Sequence, residues 1–356
     1  MLKNVIFDWS GTLVDDLGAV WRTTNHVLRM AGKPEMALDT FRAEFCLPFN
    51  LFYERHTPHV PRSDLEKWFH AEFPQWEHLI QLQPFAYEFL QYCRGKGLRT
   101  YVFSTIKADH FARQAERFGL SGVFDHCYLG ILDKRERIHE ILGEHQLRPS
   151  ETCFIGDMQH DVDTAKHGGT WSCAVLTGYN LLRQLRLSEP HLIVAHLGEL
   201  QVLLQANHLE WPSTESRGCG HPIATVGALI FNELGQMLLV QTAKWSNLWG
   251  IPGGKIKYGE SALEALKREV LEETGLVVSD IRFVVVQDCV DCPEFYRREH
   301  FLLLNYTAQC PGVPEVRLNH EAYNYQWVGW DQIQTMDLNR PTQLLIDQVR
   351  QKRLNG

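Results

Sequence analysis

The sequence predicts an α/β protein of two domains, in which a doubly wound parallel sheet precedes a β-rich domain. Three observations support this prediction. Short apolar runs alternate with helical patterns over residues 1–204, hydrophobic periodicity is lost over residues 205–220, and strand patterns prevail in residues 221–356. Strands that alternate with helices favour a parallel sheet covered on both faces. The segment 205–220, which gathers proline, serine, glycine and charge, is predicted to be a linker.

Five apolar runs in the first domain are predicted to be buried strands. They are residues 3–7, 100–104, 126–130, 152–156 and 172–177. Parallel sheets of this kind bind ligands beyond the carboxyl ends of their strands. Asp8 and Asp157 each follow such a strand directly. We therefore expect the two carboxylates to meet across the strand ends and to share a cation.

Four motifs occur in a characteristic order along the first domain. They are DWSGT at residues 8–12, Ser104 in VFSTI, Lys134 in LDKRERI, and GDMQHD at residues 156–161. This set resembles the haloacid dehalogenase-like (HAD) hydrolases from residue 1 to about residue 200. The resemblance implies a Rossmann-like doubly wound parallel sheet, here residues 1–14 and 85–204. It also implies an inserted helical cap, here the aromatic-rich residues 15–84.

The resemblance also implies a role for each matching residue. Asp8 would attack phosphorus and form an aspartyl-phosphate. Ser104 would hydrogen-bond the phosphoryl group, and Lys134 would neutralise charge on Asp8 and the phosphate. Asp8, Asp157 and Asp161 would hold Mg²⁺ or Mn²⁺. A lone Asp after a strand is usually a turn former, so the prediction depends on the four motifs occurring together and in order.

The DWSGT motif departs from the family pattern at one position. Phosphatases of this family have a second Asp two residues after the nucleophile, as general acid and base, whereas this chain has Ser10. A hydroxyl does not exchange protons near pH 7 as a carboxylate does. Two interpretations follow: a working phosphatase with Ser10 among its catalytic residues, or a slow or non-catalytic domain that binds a phosphorylated ligand. Thr12 is a candidate substrate-binding residue in either case.

The most informative stretch of the chain is residues 253–276, GGKIKYGESALEALKREVLEETGL. Two glycines after Pro252 indicate a turn, and Ser261 with Glu264 forms the pattern of a helix-capping box. Residues 262–274 are mostly strong helix formers, and Gly275 is a typical stop. The predicted helix has an inward apolar stripe, formed by Leu263, Leu266 and Val270.

The same helix carries Glu269, Glu272 and Glu273 close together on one face. Carboxylates so close repel one another unless a cation neutralises them, and Mg²⁺ is the usual cation next to phosphates. A solvated acidic helix face is the alternative. That alternative does not explain why Gly254 and Arg268 occur at fixed spacings from the glutamates.

These spacings match the Nudix box at every defined position. The resemblance implies an αβα-sandwich fold and Mg²⁺- or Mn²⁺-dependent hydrolysis of a nucleoside diphosphate linked to another moiety. Glu269, Glu272 and Glu273 would be metal ligands, and Glu269 would also be catalytic. Gly254 and Arg268 are candidate substrate-binding residues. An ion pair between Arg268 and Glu260 would hold the preceding loop to the helix.

The remainder of the second domain is predicted to be strands with a closing helix. The strands are residues 224–232, 237–243, 282–286, 300–308 and 326–330, and the helix is residues 340–350. Glu321 lies just before the last strand. Many Nudix relatives have a Glu there that faces the metal helix, so Glu321 is a candidate metal ligand or catalytic base. An ordinary exposed loop carboxylate is the alternative.

Composition narrows the class of protein. A net charge of −8 argues against a general nucleic-acid binder, and no apolar run is long enough to span a membrane. The chain shows no signal-peptide pattern, and several of its nine cysteines lie in apolar runs as reduced thiols do. We therefore expect a cytoplasmic protein. A zinc site of Cys219, His221, Cys289 and Cys292 is an alternative that depends on a single CxxC pair.

Together the two resemblances predict a bifunctional, metal-dependent hydrolase of small nucleotide or phosphorylated substrates. The Nudix domain would convert a nucleoside triphosphate, an ADP-sugar or a dinucleotide to a monophosphate, and the HAD domain would dephosphorylate a phosphate monoester. The alternative is a Nudix pyrophosphohydrolase whose HAD domain is slow or only binds a ligand. Neither nucleic acid nor a membrane is an expected partner, and the sequence leaves the oligomeric state open.

Overall fold

The computed structural model describes residues 1–211 and 221–354, and the chain divides into two compact units, residues 1–214 and 215–356. Residues 212–220, most of the predicted linker, lie outside the described residues. The last helix of the first unit continues to Ala206, and Leu209 and Trp211 pack against the core of that unit. Residues 205–211 are therefore part of the first unit rather than free linker.

The first unit is built on a six-stranded parallel sheet with the order β5-β4-β1-β6-β7-β8, beside a two-stranded ribbon of β2 and β3. The strands are β1 Asn4–Phe7, β2 Val14–Asp15, β3 Gln81–Leu82, β4 Arg99–Phe103, β5 His126–Tyr128, β6 Thr152–Gly156, β7 Trp171–Val175 and β8 Leu192–Val194. The helices are α1 Leu17–Met30, α2 Leu38–Glu44, α3 Phe49–His56, α4 Arg62–Glu72, α5 Ala86–Gly95, α6 Ala108–Arg117, α7 Lys134–Glu144, α8 Gln159–His167, α9 Leu182–Leu187 and α10 Leu197–Ala206.

Strand β1 shows why this sheet is doubly wound. Its four residues are all buried, because side chains alternate between two covered faces. Val5 and Phe7 belong to one apolar cluster with Phe89 of α5. Ile6 points to the other face and packs in a second cluster with Ile138 of α7. The predicted Rossmann-like parallel sheet is confirmed.

Helices α1 to α4 lie between β2 and β3 and form their own apolar cluster. Val27, Phe41, Phe52 and Leu65 are buried in it, and Tyr179 from the loop after β7 joins them. The cluster therefore connects the inserted helices to the carboxyl ends of the sheet strands. This arrangement places a helical layer over the side of the sheet where Asp8 and Asp157 lie.

The second unit is a mixed sheet between helices. Its strands are β9 Ile223–Phe231, β10 Met237–Gln241, β11 Trp249–Gly250, β12 Gly253–Lys255, β13 Ser279–Val290, β14 His300–Gln309 and β15 Asn324–Val328, and its helices are α11 Ala262–Thr274 and α12 Arg340–Leu354. Among the described strands of this unit, only β9 and β14 pair in parallel. In β9, Ala228 packs with α11 and Leu229 packs with α12, so helices cover both faces. The predicted αβα sandwich is confirmed.

Helix α11 begins and ends where its sequence predicts. The Ser261 side chain accepts a hydrogen bond from the Glu264 backbone N–H, and Gly275 takes a left-handed conformation at the C-terminus, with φ +71°. The predicted apolar stripe was wrong at one position. Leu263 is 47% exposed, because it lies in the first turn, ahead of the buried stretch that starts at Ala265.

The cysteines differ from expectation at one pair. Cys289 and Cys292 are joined by a disulfide, whereas Cys46, Cys93, Cys127, Cys153, Cys173 and Cys310 are free thiols. In the disulfide neither sulfur offers a thiolate to zinc, and Cys219, the third candidate ligand, lies outside the described residues. Across residues 1–211 and 221–354, no helix is long and apolar enough to cross a membrane.

Two substitutions on α11 test this packing. Leu266→Ala should lower the free energy of unfolding of the second unit by about 2–5 kcal/mol, since Leu266 is fully buried and its loss leaves a cavity. Leu263→Ala should change it by no more than about 0.5 kcal/mol. Hydrogen exchange of the amides in residues 262–274 measures both. Equal effects of the two substitutions would contradict the packing described for α11.

Candidate active sites

The first candidate site lies where β1 and β6 end. The two strands pair in parallel with Phe7 opposite Ile155, so Asp8 and Asp157, one and two residues further on, emerge side by side. Asp161 follows in the first turn of α8. A buried Lys134 connects the cluster, with its Nζ 2.9 Å from Asp8 Oδ1 and 2.6 Å from Asp161 Oδ1. The structure thus brings together four of the residues that the motifs predicted, namely Asp8, Lys134, Asp157 and Asp161.

Negative charge exceeds positive charge in this cluster. Asp8, Asp157 and Asp161 place carboxylate oxygens within 4.8 Å of one another, and all three are buried. Burial raises the pKa of Asp8, although Lys134 opposes this, and burial with repulsion from the other two carboxylates raises the pKa of Asp157 well above its usual range. Three oxygen ligands with excess negative charge fit a hard divalent cation.

Asp157 is held from three sides. Thr12 Oγ1 donates a hydrogen bond to Asp157 Oδ1 at 2.9 Å, and the Tyr179 backbone N–H donates to Oδ2 at 2.7 Å. Gly11 has φ +76°, and a Cβ on it would stand 2.3 Å from Asp157 Oδ2. A side chain at position 11 would therefore occupy the space of the carboxylate.

Thr12 and Ser104 lie differently from what the motifs suggest. Thr12 is fully buried and its hydroxyl is used on Asp157, so it supports a candidate metal ligand and does not face a substrate. Ser104 is also fully buried, and its Oγ accepts a hydrogen bond from the Ile106 N–H at 3.4 Å. Its neighbour Thr105 lines the cavity beside Asp8 instead.

A cavity of about 310 Å³ lies between the cap helices and the strand ends. Asp8 and Ser10 form part of its floor, and Lys107 and His110 are among its polar walls. Much of the rest is apolar, including Phe45, Leu47, Phe49, Tyr53, Phe69 and Phe73. Such a cavity has room for an organic group as well as a phosphate.

Asp16 lines the same cavity, although the motifs did not single it out. It is 3% exposed, and the Tyr179 hydroxyl donates a hydrogen bond to its Oδ1 at 2.9 Å. The Ser10 hydroxyl also hydrogen-bonds its carboxyl group. An acidic pair at residues 15–16, close behind a motif that lacks its second Asp, is the only sequence pattern that indicates this residue.

The second candidate site lies on α11. Glu273 is buried, and its Oε2 accepts a hydrogen bond from the Gly253 N–H at 2.9 Å. Burial, with repulsion from Glu321 and Glu269, raises the pKa of Glu273 to about 8. Burial and the same repulsion from Glu321 also raise the pKa of Glu269. Glu321 therefore lies near both helix carboxylates, and it forms an ion pair with Lys244.

Arg268 has a structural role in this site. Its Nε and Nη2 donate to the two carboxylate oxygens of Glu260 at 2.6 and 2.8 Å, and Nη2 also donates to the Lys255 carbonyl at 3.1 Å. Its Nη1 donates to Glu269 at 2.7 Å and to Glu272 at 3.3 Å. All five N–H donors thus have protein acceptors, which leaves none for a substrate. The expected pair with Glu260 is present.

Glu272 and Gly254 complete the Nudix-box residues. The Glu272 side chain is 51% exposed and contacts Arg268, so it stands apart from the buried Glu273. A Cβ on Gly254 would stand 2.4 Å from Glu269 Cδ. The predicted turn at Gly253 and Gly254 is wrong, because both glycines belong to strand β12, which pairs with β9. Gly254 therefore lets β12 approach the helix, whereas a substrate-binding role for it stays a prediction.

Sequence profiles of two families match the chain in the regions that contain these sites. Residues 5–175 match the haloacid dehalogenase-like hydrolases, and residues 221–348 match the NUDIX domain. The chain is a fusion of a HAD-like hydrolase with a Nudix hydrolase. It is therefore a hydrolytic enzyme with two candidate active sites.

Relatives of each domain are known separately. The chain is 25% identical to a phosphoglycolate phosphatase of Synechococcus elongatus over 189 residues, which span 50% of this chain and 86% of that protein. It is 30% identical to an 8-oxo-dGTP diphosphatase of Buchnera aphidicola over 108 residues, which span 30% of this chain and 82% of that protein. A crystal structure from Clostridium acetobutylicum, described as a predicted phosphatase, aligns with TM-score 0.53 at 17% identity over 58% of this chain and 100% of that one. At that identity it shares the fold alone.

Gly11→Ala tests the cluster in the HAD-like domain. The new methyl group should displace the Asp157 carboxylate and so abolish the protection from hydrogen exchange that Mg²⁺ or Mn²⁺ confers on residues 152–180. Gly122→Ala is the matched control, because Gly122 has a similar φ of +72° but a Cβ there would meet no atom within 4 Å. Both substitutions strain the backbone by about 1 kcal/mol, and only the first meets a carboxylate. Equal cation protection in both variants would contradict the cluster.

Proposed function

We propose that the protein is a bifunctional, metal-dependent hydrolase that acts on small nucleotide substrates in two steps. The Nudix domain cleaves a nucleoside diphosphate linked to another moiety and leaves a monophosphate. The HAD-like domain then dephosphorylates a phosphate monoester. The observation that supports this most strongly is the ion pair between Asp8 and Lys134 beside Asp157. Asp8 of this pair lines a cavity of about 310 Å³, which has room for an organic phosphate.

In the HAD-like domain Asp8 is the nucleophile. Its carboxylate attacks phosphorus, the bond to the leaving oxygen breaks, and water later releases phosphate from Asp8. Burial alone would lower the pKa of Lys134, but Asp161 and Asp8 outweigh it and raise that pKa, so the side chain stays a cation that opposes the burial-driven rise in the pKa of Asp8. Asp8, Asp157 and Asp161 would hold Mg²⁺, which when bound withdraws charge from the phosphoryl oxygens.

In the Nudix domain Glu269, Glu272 and Glu273 are the proposed ligands of Mg²⁺ or Mn²⁺. The buried Glu273 and the half-buried Glu269 fit this role best, because repulsion between them needs a cation close by. Glu321 is the proposed base or a further ligand. Its ion pair with Lys244 would hold it near the two helix carboxylates.

The relatives suggest where to look for substrates. One is named for 8-oxo-dGTP and the other for phosphoglycolate. We therefore propose nucleoside triphosphates first, with ADP-sugars and dinucleotides next, and monoesters of the resulting products for the HAD-like domain. We also propose that the enzyme works in the cytoplasm, without nucleic acid or a membrane as a partner.

One observation favours a second candidate function. Position 10 is Ser in this chain, so the HAD-like domain lacks the expected acid and base beside Asp8. In this alternative the Nudix domain is the working pyrophosphohydrolase, and the HAD-like domain is slow or binds a phosphorylated ligand without turnover. The two candidates differ in whether monophosphate accumulates.

Glu273→Gln tests the Nudix site. The substitution removes a proposed metal ligand and its charge, so Mg²⁺-dependent cleavage of nucleotide pyrophosphates should fall by roughly 10²-fold or more. Glu264→Gln is the control on the same helix, because a Gln there preserves the capping box and should leave the rate within about twofold. Near wild-type rates in both Glu272→Gln and Glu273→Gln would show that the metal-helix assignment is wrong.

Product identification by mass tests the two-step proposal. With Mg²⁺ and a panel of nucleotide pyrophosphates, Asp8→Asn should stop at the monophosphate, and Glu273→Gln should leave the pyrophosphate intact yet still dephosphorylate added monophosphate. Wild type should proceed to the dephosphorylated product. Accumulation of monophosphate by wild type, with no hydroxylamine-sensitive phospho-adduct on Asp8, would instead support the Nudix-only alternative.

A further inference from the structure

Asp16 occupies an unusual position for a helix-capping residue. It is the N-cap residue of α1, where an Asp side chain ordinarily accepts a hydrogen bond from the first turn, but its carboxyl group makes no such bond. The neighbouring Asp15 accepts a hydrogen bond from the Leu17 N–H instead. The Asp16 carboxyl is turned inward, to Ser10 and Tyr179, and is therefore not committed to holding the helix.

Three residues connect Asp16 to the reacting atoms. Ser10, which follows the nucleophile by two residues, hydrogen-bonds the Asp16 carboxyl. Tyr179 donates its hydroxyl to Asp16 and its backbone N–H to Asp157, so one residue orients the carboxyl relative to the cluster. Asp8, Ser10, Asp16 and Tyr179 all line the same cavity.

We propose that Asp16 supplies, through the Ser10 hydroxyl, the proton transfers for which phosphatases of this family use a carboxylate at position 10. The proposal rests on the proposed phosphatase function of the HAD-like domain. Asp16 is then a positioning residue: it holds the proton that Ser10 passes to the substrate. The proposal also explains how the domain could work with Ser10 in place of the second Asp, because Asp16, six residues further along the chain, would supply the missing carboxylate.

The proton balance closes in both half-reactions. In the first, Asp8 bonds to phosphorus, the bond to the leaving oxygen breaks, Ser10 gives its proton to that oxygen, and Ser10 takes the proton of Asp16. In the second, water attacks phosphorus and its proton passes through Ser10 back to Asp16. The bond between phosphorus and Asp8 breaks, which regenerates the Asp8 carboxylate and releases phosphate. No further co-reactant is needed.

The surroundings of Asp16 suit a group that must both give and take a proton. Burial raises the pKa of Asp16 to about 7, although hydrogen bonds from Ser10 and Tyr179 oppose the rise. Asp15 and Asp8, the charged groups that face it, raise the pKa further. Both protonation states are therefore populated near neutral pH, which general acid–base catalysis requires.

The test uses the full chain with Mg²⁺ and two substitutions that separate chemistry from structure. Asp16→Asn keeps an oxygen for the Tyr179 hydroxyl but cannot hold an acidic proton. Ser10→Asp/Asp16→Asn moves the carboxylate back to position 10. Asp39→Asn, a change at an exposed Asp in the first turn of α2 that does not line the cavity, is the matched control. Ser10→Ala is a second way to break the relay if Asp16→Asn does not fold.

Two substrates with different leaving groups provide the readout. Asp16→Asn and Ser10→Ala should slow hydrolysis of an alkyl phosphate by about 10²–10³-fold, because an alkoxide needs a proton as it leaves. Para-nitrophenyl phosphate, whose leaving group needs no acid, should still phosphorylate Asp8, and the phospho-adduct should persist in both variants. Ser10→Asp/Asp16→Asn should recover alkyl-phosphate turnover to within about tenfold of wild type. Asp39→Asn should stay within about threefold.

Three results would overturn the proposal, and they are distinguishable. If Asp16→Asn hydrolyses the alkyl phosphate as fast as the wild type does, Asp16 has no role in proton transfer, but the proposed phosphatase function stands. An equal loss on both substrates, with no phospho-adduct and no recovery in the double variant, would show that Asp16 only supports the fold. No adduct and no monoester hydrolysis by wild type would overturn the phosphatase function together with the relay.

Discussion

Both domains bury several carboxylates close together, and the negative charge of these groups must be neutralised. A buried carboxylate must be paired or neutralised, and two unit charges 4 Å apart interact by about 4 kcal/mol at an effective dielectric constant near 20. In the HAD-like domain one ammonium group, on Lys134, faces three carboxylates. In the Nudix domain Arg268 pairs with Glu260, Glu269 and Glu272, and Lys244 pairs with Glu321. The attraction of Lys244 therefore offsets only part of the rise that burial and the neighbouring carboxylates cause in the pKa of Glu273. Each site therefore offers a divalent cation a charge that the protein itself does not balance.

The same backbone device brings these carboxylates close in two unrelated folds. Asp157 lies against Gly11, and Glu269 lies against Gly254, so closely that a Cβ on either glycine would stand within 3 Å of the carboxyl group and displace it. In one case a loop after a parallel strand approaches the end of another strand, and in the other the short strand β12 approaches helix α11. A glycine beside an acidic residue thus leaves room for the carboxylate, and the surrounding hydrogen bonds then fix the direction of that carboxylate.

The sequence predicts most of the fold and only part of the chemistry. Strand patterns and motif order suffice to bring Asp8, Lys134 and Asp157 together, because parallel strands end at one edge of a sheet. They do not show whether the donors of a side chain bond other protein groups or remain available to a substrate. Thr12 and Arg268 look like substrate ligands in sequence, but their donors are used within the protein. The contact between Asp16 and Tyr179 joins residues 163 positions apart, so only the folded chain reveals it.

The placement of Asp16 also has an electrostatic rationale. A carboxylate at position 10 would add a further negative charge to the cavity wall that Asp8 also lines, although a single Lys134 already pairs with both Asp8 and Asp161. Ser10 keeps a hydroxyl at that position and adds no charge. Asp16 sits one hydrogen bond further out, in a pocket where burial and the Tyr179 hydroxyl control its protonation. In the proposed relay this arrangement keeps a proton donor near the cavity and adds no charge to the carboxylate cluster. The charge proposed for metal binding is thereby separated from the group proposed for acid–base catalysis.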